Sequence, residues 1–422
     1  MIDNETLPQV THDLARSNFR DTLGQAYVDY REKPVWQALR GLGTELWLDT
    51  GDRDAAERLW CTEFSALTTN NTLLNNEIQK GIYDELIPRT ADVLYTEVPE
   101  LDKKQLVMEI GFVLNATHAL TLVDSFDAQV SVEVHTDLAH DLERTVAYGR
   151  RFYAICPERF IIKVPFTPSG LLATRMLRKE GIPVNMTLGF SARQNVLAAL
   201  LADPTYVNVF MGRLGAYVAD NGLGDGRNVG EKATLATQRA LCDLRNEERS
   251  DTRLIGASMR DSTQVGNLAG LDVYTMPLKV AEHYEQSSPI QPHSHIQDDP
   301  DVTLTAGTKA REGFNALWEV SEDFQETVER LICGNIDVMT AESISTYFAH
   351  TGYRDLFPAW SLEDVAAVEI EGKIPIRGRW QRRLAARDIG LDALMNLSAL
   401  RAFAKDQHAL DQRIISLLEE NR

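Results

Sequence analysis

The sequence predicts an α/β protein, a (β/α)8 TIM barrel with helical extensions at its N- and C-terminal ends. Three observations point there. Between about residues 45 and 285, short apolar runs alternate with longer segments of helical apolar spacing. The runs number eight, and eight βα units in about 240 residues is the length such a barrel needs. Polar residues also recur at the C-terminal ends of the runs, the end at which barrel proteins place their chemistry. A doubly wound open sheet alternates β and α too, and periodicity alone leaves that alternative standing.

Taken in order, residues 1–44 form a helical extension, with Leu14, Phe19, Leu23, Tyr27 and Trp36 to Leu39 set among polar residues. The barrel, residues 45–285, starts from the runs Glu45–Asp49, Phe64–Leu67, Ala128–Val134 and Phe160–Val164. It continues through Ile182–Leu188, Tyr206–Phe210, Arg253–Ser258 and Asp272–Met276. Ala192–Leu201 and Glu231–Arg245 are typical of the helical segments between them. Residues 286–310 are polar and rich in Pro, His and Asp, so they predict an exposed connection. Phe324, Val328 and Leu331 then keep helical spacing, whereas 335–390 suits either short helices or a hairpin. Residues 286–390 are thus a connection and helical insertion. In 391–422, Leu397, Leu400, Ala404, Leu410, Ile414 and Leu417 give a long terminal helix one apolar face.

Composition bounds the function. The chain has 422 residues, 44% hydrophobic and 25% charged, enough to bury a full core. Lys and Arg total 43 against 62 Asp and Glu, a formal charge of −19. That field repels nucleic acid and anionic membranes, so neither is an expected partner. An anionic small molecule needs a local Arg or Lys cluster set against it. No run approaches the roughly 18 apolar residues of a membrane helix, and the polar, acidic MIDNETLPQV is no signal peptide. Four scattered cysteines without a CxxC complete the expectation of a reduced, cytoplasmic protein.

Alternate side chains of a barrel strand face the interior and the helices. In FIIKVPFTPSG, Lys163 stands among apolar residues. Such a lysine either reaches water at the strand end or, partly desolvated, serves as a Schiff-base nucleophile. In VSVEVH, Ser131, Glu133 and His135 share the face opposite three valines; a buried carboxylate there demands a partner, and an edge strand would not. Asp49 ends the first run, as a catalytic group or as the cap of the next helix. Asn185 and Thr187 share a face, as do Asn208 and Phe210, and Ser258 and Arg260. Arg213 and Arg260, just beyond strand ends, could clamp a phosphate by bidentate hydrogen bonds.

Together these segments resemble the transaldolase family of class I aldolases. IIKVPFTPSGLLATRML is similar to the family's lysine signature throughout, and LTTNNTLL resembles its TTNP asparagine motif. VSVEV, EGIPVNMTLGFS, VFMGR, GASMRD and LAGLDVYTMP are similar to later segments, in order from Leu46 to about Tyr284, and the match returns near ALRAFAKDQHALDQRI. Asn71 stands in place of the motif's proline, Asn208 in place of a frequent serine, and Gly215–Ala216 in place of an acidic residue. Residues from about 290 to 390 lie outside the resemblance.

The resemblance implies a transaldolase of the pentose phosphate pathway, moving a dihydroxyacetone unit from a ketose phosphate to an aldose phosphate. Lys163 would form the Schiff base, Asp49 take the donor hydroxyl proton, and Glu133 and Thr187 hold a proton-shuttling water. Asn70 and Asn185 would orient the bound fragment; Arg213 and Arg260, with Ser258, the phosphate. Asn208 and Phe210 complete the substrate-binding set. Neither a cofactor nor a metal is implied, the partners are sugar phosphates, and assembly into a homo-oligomer stays open. Phe210 favours transfer over a fructose-6-phosphate aldolase-like lyase, whose members tend to carry a Tyr near the catalytic water. A non-catalytic sugar-phosphate barrel, a metal hydrolase built on His135, Asp137, His140 and the His293–His295 pair, and a nucleotide loop at Gly222–Gly230 are the competing readings.

Overall fold

Eight strands close on one another in chain order, all parallel, with the last beside the first. They are β1 (Glu45–Asp49), β2 (Phe64–Thr68), β3 (Gln129–Glu133), β4 (Phe160–Pro165), β5 (Val184–Thr187), β6 (Tyr206–Phe210), β7 (Arg253–Ala257) and β8 (Val273–Pro277). The structure, a computed structural model, describes residues 6–19, 30–287, 291–308 and 312–420. Closure decides for the (β/α)8 barrel over the open sheet, because no strand is left with an unpaired edge. Strands buried on both faces read as near-continuous apolar runs, and β4 is buried at all six positions.

Register sets the site. Lys163 pairs with Glu133 on one side and Asn185 on the other, so three polar residues sit at one height across β3, β4 and β5. Toward the N-terminal end the interior is filled instead by aromatic rings. Trp47 of β1 and Tyr206 of β6, strands that are not neighbours, meet edge to face at 4.8 Å. The barrel is therefore packed shut at one end and polar at the other.

Several helices that follow strands start on side-chain caps. Asp52, not Asp49, caps the helix after β1, accepting from the Ala55 N–H at 2.9 Å. Thr167 and Ser191 cap the helices after β4 and β5. At the N-terminal end the expected helical extension is two short helices, Thr6–Arg16 and Pro34–Arg40, the second opened by a proline at its first position. Leu23 and Tyr27 lie outside the described residues.

One expectation is corrected. The helix Lys103–Phe126 is long and apolar enough to cross a membrane by length and composition, although no uninterrupted apolar run of that length exists. Of its most apolar stretch 89% is buried within the protein. It packs against Thr6–Arg16, Leu86–Glu97 and the C-terminal helix, which explains why it is apolar on every side.

Residues 335–390 are helical rather than a hairpin, with helices Ala341–His350, Leu362–Glu371 and Arg377–Ala385. The basic stretch RGRWQRR (377–383) lies in the last of these, and three of its four arginines are paired locally, Arg377 with Glu312, Arg379 with Glu371 and Arg383 with Asp364. Described residues 291–308 lie along the outside of the barrel, with His295 N–H on the Ala269 carbonyl at 2.8 Å and Thr305 N–H on that of Leu223 at 2.7 Å.

The C-terminal helix, Leu391–Glu420, is pinned at its start by a buried ion pair. Asp392, fully buried, accepts from Arg193 Nε at 2.8 Å and Nη2 at 2.7 Å, and from Ser191 Oγ at 2.7 Å. This ties the helix to the segment that follows β5. Asp392→Ala would leave Arg193 buried with only Asp355 as its counter-charge. A loss of about 3–5 kcal/mol of stability is expected, read as a lowered denaturation midpoint. A variant that melts with the parent would remove this pair from the account of how the helix is held.

Candidate active site

The polar end of the barrel opens into a cavity of about 250 Å³. Asp49, Asn70, Lys163, Asn185, Asn208, Phe210, Arg213, Ser258 and Arg260 all line it. Glu133 and Thr187 do not reach its surface but stand behind Lys163 in the barrel interior.

Lys163 is 2% exposed, on a strand buried at every position. Its Nζ donates to the Thr69 carbonyl at 3.2 Å and lies 3.6 Å from Glu133 Oε2. The Phe403 ring from the C-terminal helix lies 5.9 Å from that nitrogen. The reading of Lys163 as a strand-end lysine reaching water is thereby excluded.

Two carboxyls answer the lysine. Burial pushes the Asp49 carboxyl up to about 6, with the charge of Lys163 pulling the other way. Burial also raises Glu133, opposed by Lys163 and by a hydrogen bond from the Asn71 backbone N–H. A proline at position 71 has no such N–H. The departure at Asn71 therefore supplies Glu133 with a donor. Among the described residues, Glu133 Oε2 and Thr187 Oγ1 are both buried without a hydrogen-bond partner.

An amide chain crosses the same floor. Asn208 Nδ2 donates to Asn185 Oδ1 at 3.2 Å, and Asn185 Nδ2 to Ser131 Oγ at 3.0 Å. Asn208 thus fixes which way the Asn185 amide faces, a task a serine could share only through its shorter hydroxyl. Asn70 caps the helix Asn71–Gln79 through Oδ1, accepting from the Leu73 N–H at 2.9 Å. Its oxygen is committed to that cap, which leaves the amide NH2 as the donor available to a ligand.

The far wall is cationic. Arg213 is 5% exposed, lies 5.8 Å from both the Phe210 and Phe403 rings, and has Nη1 buried without a partner. Burial first, and the neighbouring Arg260 charge second, lower its guanidinium to about 10, so it is still charged at neutral pH. Ser258 holds the left-handed conformation at φ 62°, a strained position for serine at the end of β7. Gly212 explains how that turn fits, since a Cβ there would lie 2.1 Å from the Ser258 carbonyl oxygen and 2.7 Å from Arg260 Nε.

The sequence reading does not name Thr68, Thr275, Phe403 or Lys373 among the residues that line the cavity. Thr68 and Thr275, hydroxyls 2.7 Å apart, follow the interior parity of β2 and β8 and were detectable on that ground. Phe403 sits in the ALRAFAKDQ segment, where helical spacing marks it only as core. Lys373, in the helical insertion, carries no sequence signal at all. Of the histidines of the metal reading, His135 lies 3.4 Å from Asp411 and His295 2.7 Å from Asp298, and among the described residues no three His, Cys, Asp or Glu are grouped to hold a metal ion. Gly222–Gly230 joins two helices between β6 and β7, not a strand to a helix, so it is no phosphate-binding turn of a βαβ unit.

A sequence model of the Transaldolase/Fructose-6-phosphate aldolase family matches residues 46–332. The chain belongs to this family. "Transaldolase" of Xanthomonas euvesicatoria pv. vesicatoria is 32% identical over 255 residues, spanning 58% of this chain and 77% of that protein. "Probable transaldolase" of Exiguobacterium sibiricum is 39% identical over 162 residues, 38% of this chain and 67% of the other. "Transaldolase" of Trichormus variabilis is 28% identical over 236 residues, covering 54% and 70%. The family match takes in the whole barrel and stops short of Lys373 and Phe403. Lys373 and Phe403 thus reach the cavity from chain that follows the matched residues.

Proposed function

We propose that this transaldolase-family chain is a transaldolase acting through a Schiff base on Lys163, with a ketose phosphate as donor and an aldose phosphate as acceptor. The observation that carries the reading is the Lys163 amine, buried 3.6 Å from Glu133 in a cavity with a cationic far wall. The amine attacks the donor ketone; Glu133 and Thr187 hold the water that carries protons while the carbinolamine loses its hydroxyl. In the iminium, Asp49 takes the proton of the hydroxyl at the carbon beyond the bond that breaks. The electron pair of that bond moves into the iminium as an enamine, and an aldehyde leaves. Asn70 and Asn185 hold the remaining three-carbon unit until an aldose phosphate enters and the steps reverse. This route needs no metal.

Transfer is preferred to simple cleavage because Phe210 brings a ring and no hydroxyl to the cavity wall, 5.8 Å from Phe190 and 6.3 Å from Phe403. Those rings keep bulk water from the enamine better than they could activate it. Incubation with fructose 6-phosphate and erythrose 4-phosphate should give glyceraldehyde 3-phosphate and a seven-carbon ketose phosphate. Release of dihydroxyacetone instead would establish the lyase, and no reaction with either substrate would remove the reading.

Arg213 and Arg260 bind the phosphate end, beside Ser258. Charge-assisted hydrogen bonds contribute about 1.5–3 kcal/mol each, roughly ten- to a hundredfold in binding. Arg213→Ala and Arg260→Ala should each raise KM for phosphorylated sugars by about that factor, with far smaller effect on unphosphorylated donors. Equal losses on both substrate types would mean that these residues only hold the loops.

A further inference from the structure

Lys373 lies outside the family match, in the helical insertion, yet it lines the catalytic cavity. Its approach is built by the chain around it. The helix Leu362–Glu371 packs on the C-terminal helix, and Gly372 turns away from it in the left-handed region at φ 81°. Ser398 Oγ then donates to the Gly372 carbonyl at 2.8 Å and fastens the turn to the helix that carries Phe403. Phe403 is also the ring over which Arg213 stands. Lys373 therefore lines the cavity from a turn held against the helix that carries Phe403.

Charge bears on the same point. Among the described residues, Arg213, Arg260 and Lys373 form no ion pair with a carboxylate, in a chain with a formal charge of −19 whose other arginines and lysines are widely paired. Arg213 Nη1 is buried and unpartnered as well. Arg260 repels Arg213, which only the more distant charge of Asp406 opposes, and a dianionic ligand in the cavity that Lys373 also lines would be attracted by all three cations.

We propose that Lys373 is a third cationic ligand of the substrate phosphate, contributed by the insertion and selecting dianionic sugar phosphates over neutral sugars. This rests on the sugar-phosphate reading of the cavity. Arg213 and Arg260 hold the phosphate from the barrel. Lys373 closes on its outer oxygens, where solvent access makes its contribution smaller than that of either arginine and sensitive to salt.

The test is calorimetric titration of the full chain with inorganic phosphate, at low and at moderate ionic strength, for the parent, Lys373→Ala, Lys373→Arg and Arg213→Ala. Lys373→Ala should weaken phosphate about three- to fivefold at low salt and less at moderate salt, while Lys373→Arg keeps the parent affinity. In turnover with phosphorylated donors, the Lys373→Ala loss should fall on KM. If parent binding is lost in Arg213→Ala but is within 1.5-fold in Lys373→Ala, Lys373 is overturned and the arginine site stands. If the parent does not bind phosphate, or Arg213→Ala binds it as the parent does, both the site and this proposal fall.

Discussion

Lys163→Met should lower transfer by on the order of 10⁴-fold or more, because it removes the proposed nucleophile on which every later step of the proposed route depends. Borohydride added with a ketose phosphate should trap a covalent adduct on Lys163 in the parent and none in the variant. Methionine keeps the volume of the buried side chain, and no new cavity opens in β4. The variant also removes the Lys163 charge that opposes burial at Glu133, so that carboxyl should be pushed further up. A circular dichroism melt should therefore show a folded protein. Peptide mapping decides the assignment, and an adduct on any other lysine would sink it.

Asp49→Asn should have the second largest effect, a loss of about 10²–10⁴-fold in cleavage. Its proposed task begins after the imine exists, so trapping on Lys163 should survive in this variant. Loss of trapping together with turnover would place Asp49 in imine formation instead. The pH dependence follows from its environment. Burial holds the carboxyl at about 6, and the base must be ionised, so kcat/KM should be level above that pH and fall as pH drops through it. The stability effect runs the other way. A carboxyl whose pKa is raised on folding binds its proton more tightly when folded, so its stabilising contribution is complete below about 4 and is lost as pH rises through 6. At neutral pH the ionised form costs on the order of 3 kcal/mol, and Asp49→Asn should melt higher than the parent there. A variant no more stable than the parent at pH 7.5 would mean that this carboxylate is better solvated than its burial indicates.

Much of the site is local in origin, which is why it was legible. Lys163 sits two residues before the end of β4, and period-2 alternation alone puts it on the same face as Ile161. The same parity groups Asn185 with Thr187 and Asn208 with Phe210. Once parallel closure is inferred, these faces converge, because a barrel has one interior. The helix Lys103–Phe126 was less legible for a related reason: counting uninterrupted apolar residues misses a buried helix whose apolar run is broken by polar residues such as Glu109 and Asn115, which find partners within the fold.

By itself, then, the sequence determined the eight strands, the interior parity of their polar residues and the lysine at their centre. Each depends on alternation and composition within a few residues, and burial on both faces of a parallel strand leaves little freedom in either. Only the tertiary structure decided that Phe403 and Lys373 complete the cavity, and that Asp392 anchors the helix bringing Phe403 there. Those contacts join residues some 200 or more positions apart. The spacing of an amphipathic helix says which face is buried, but not against which surface; that is settled where the chain returns across the open end of the barrel and packs.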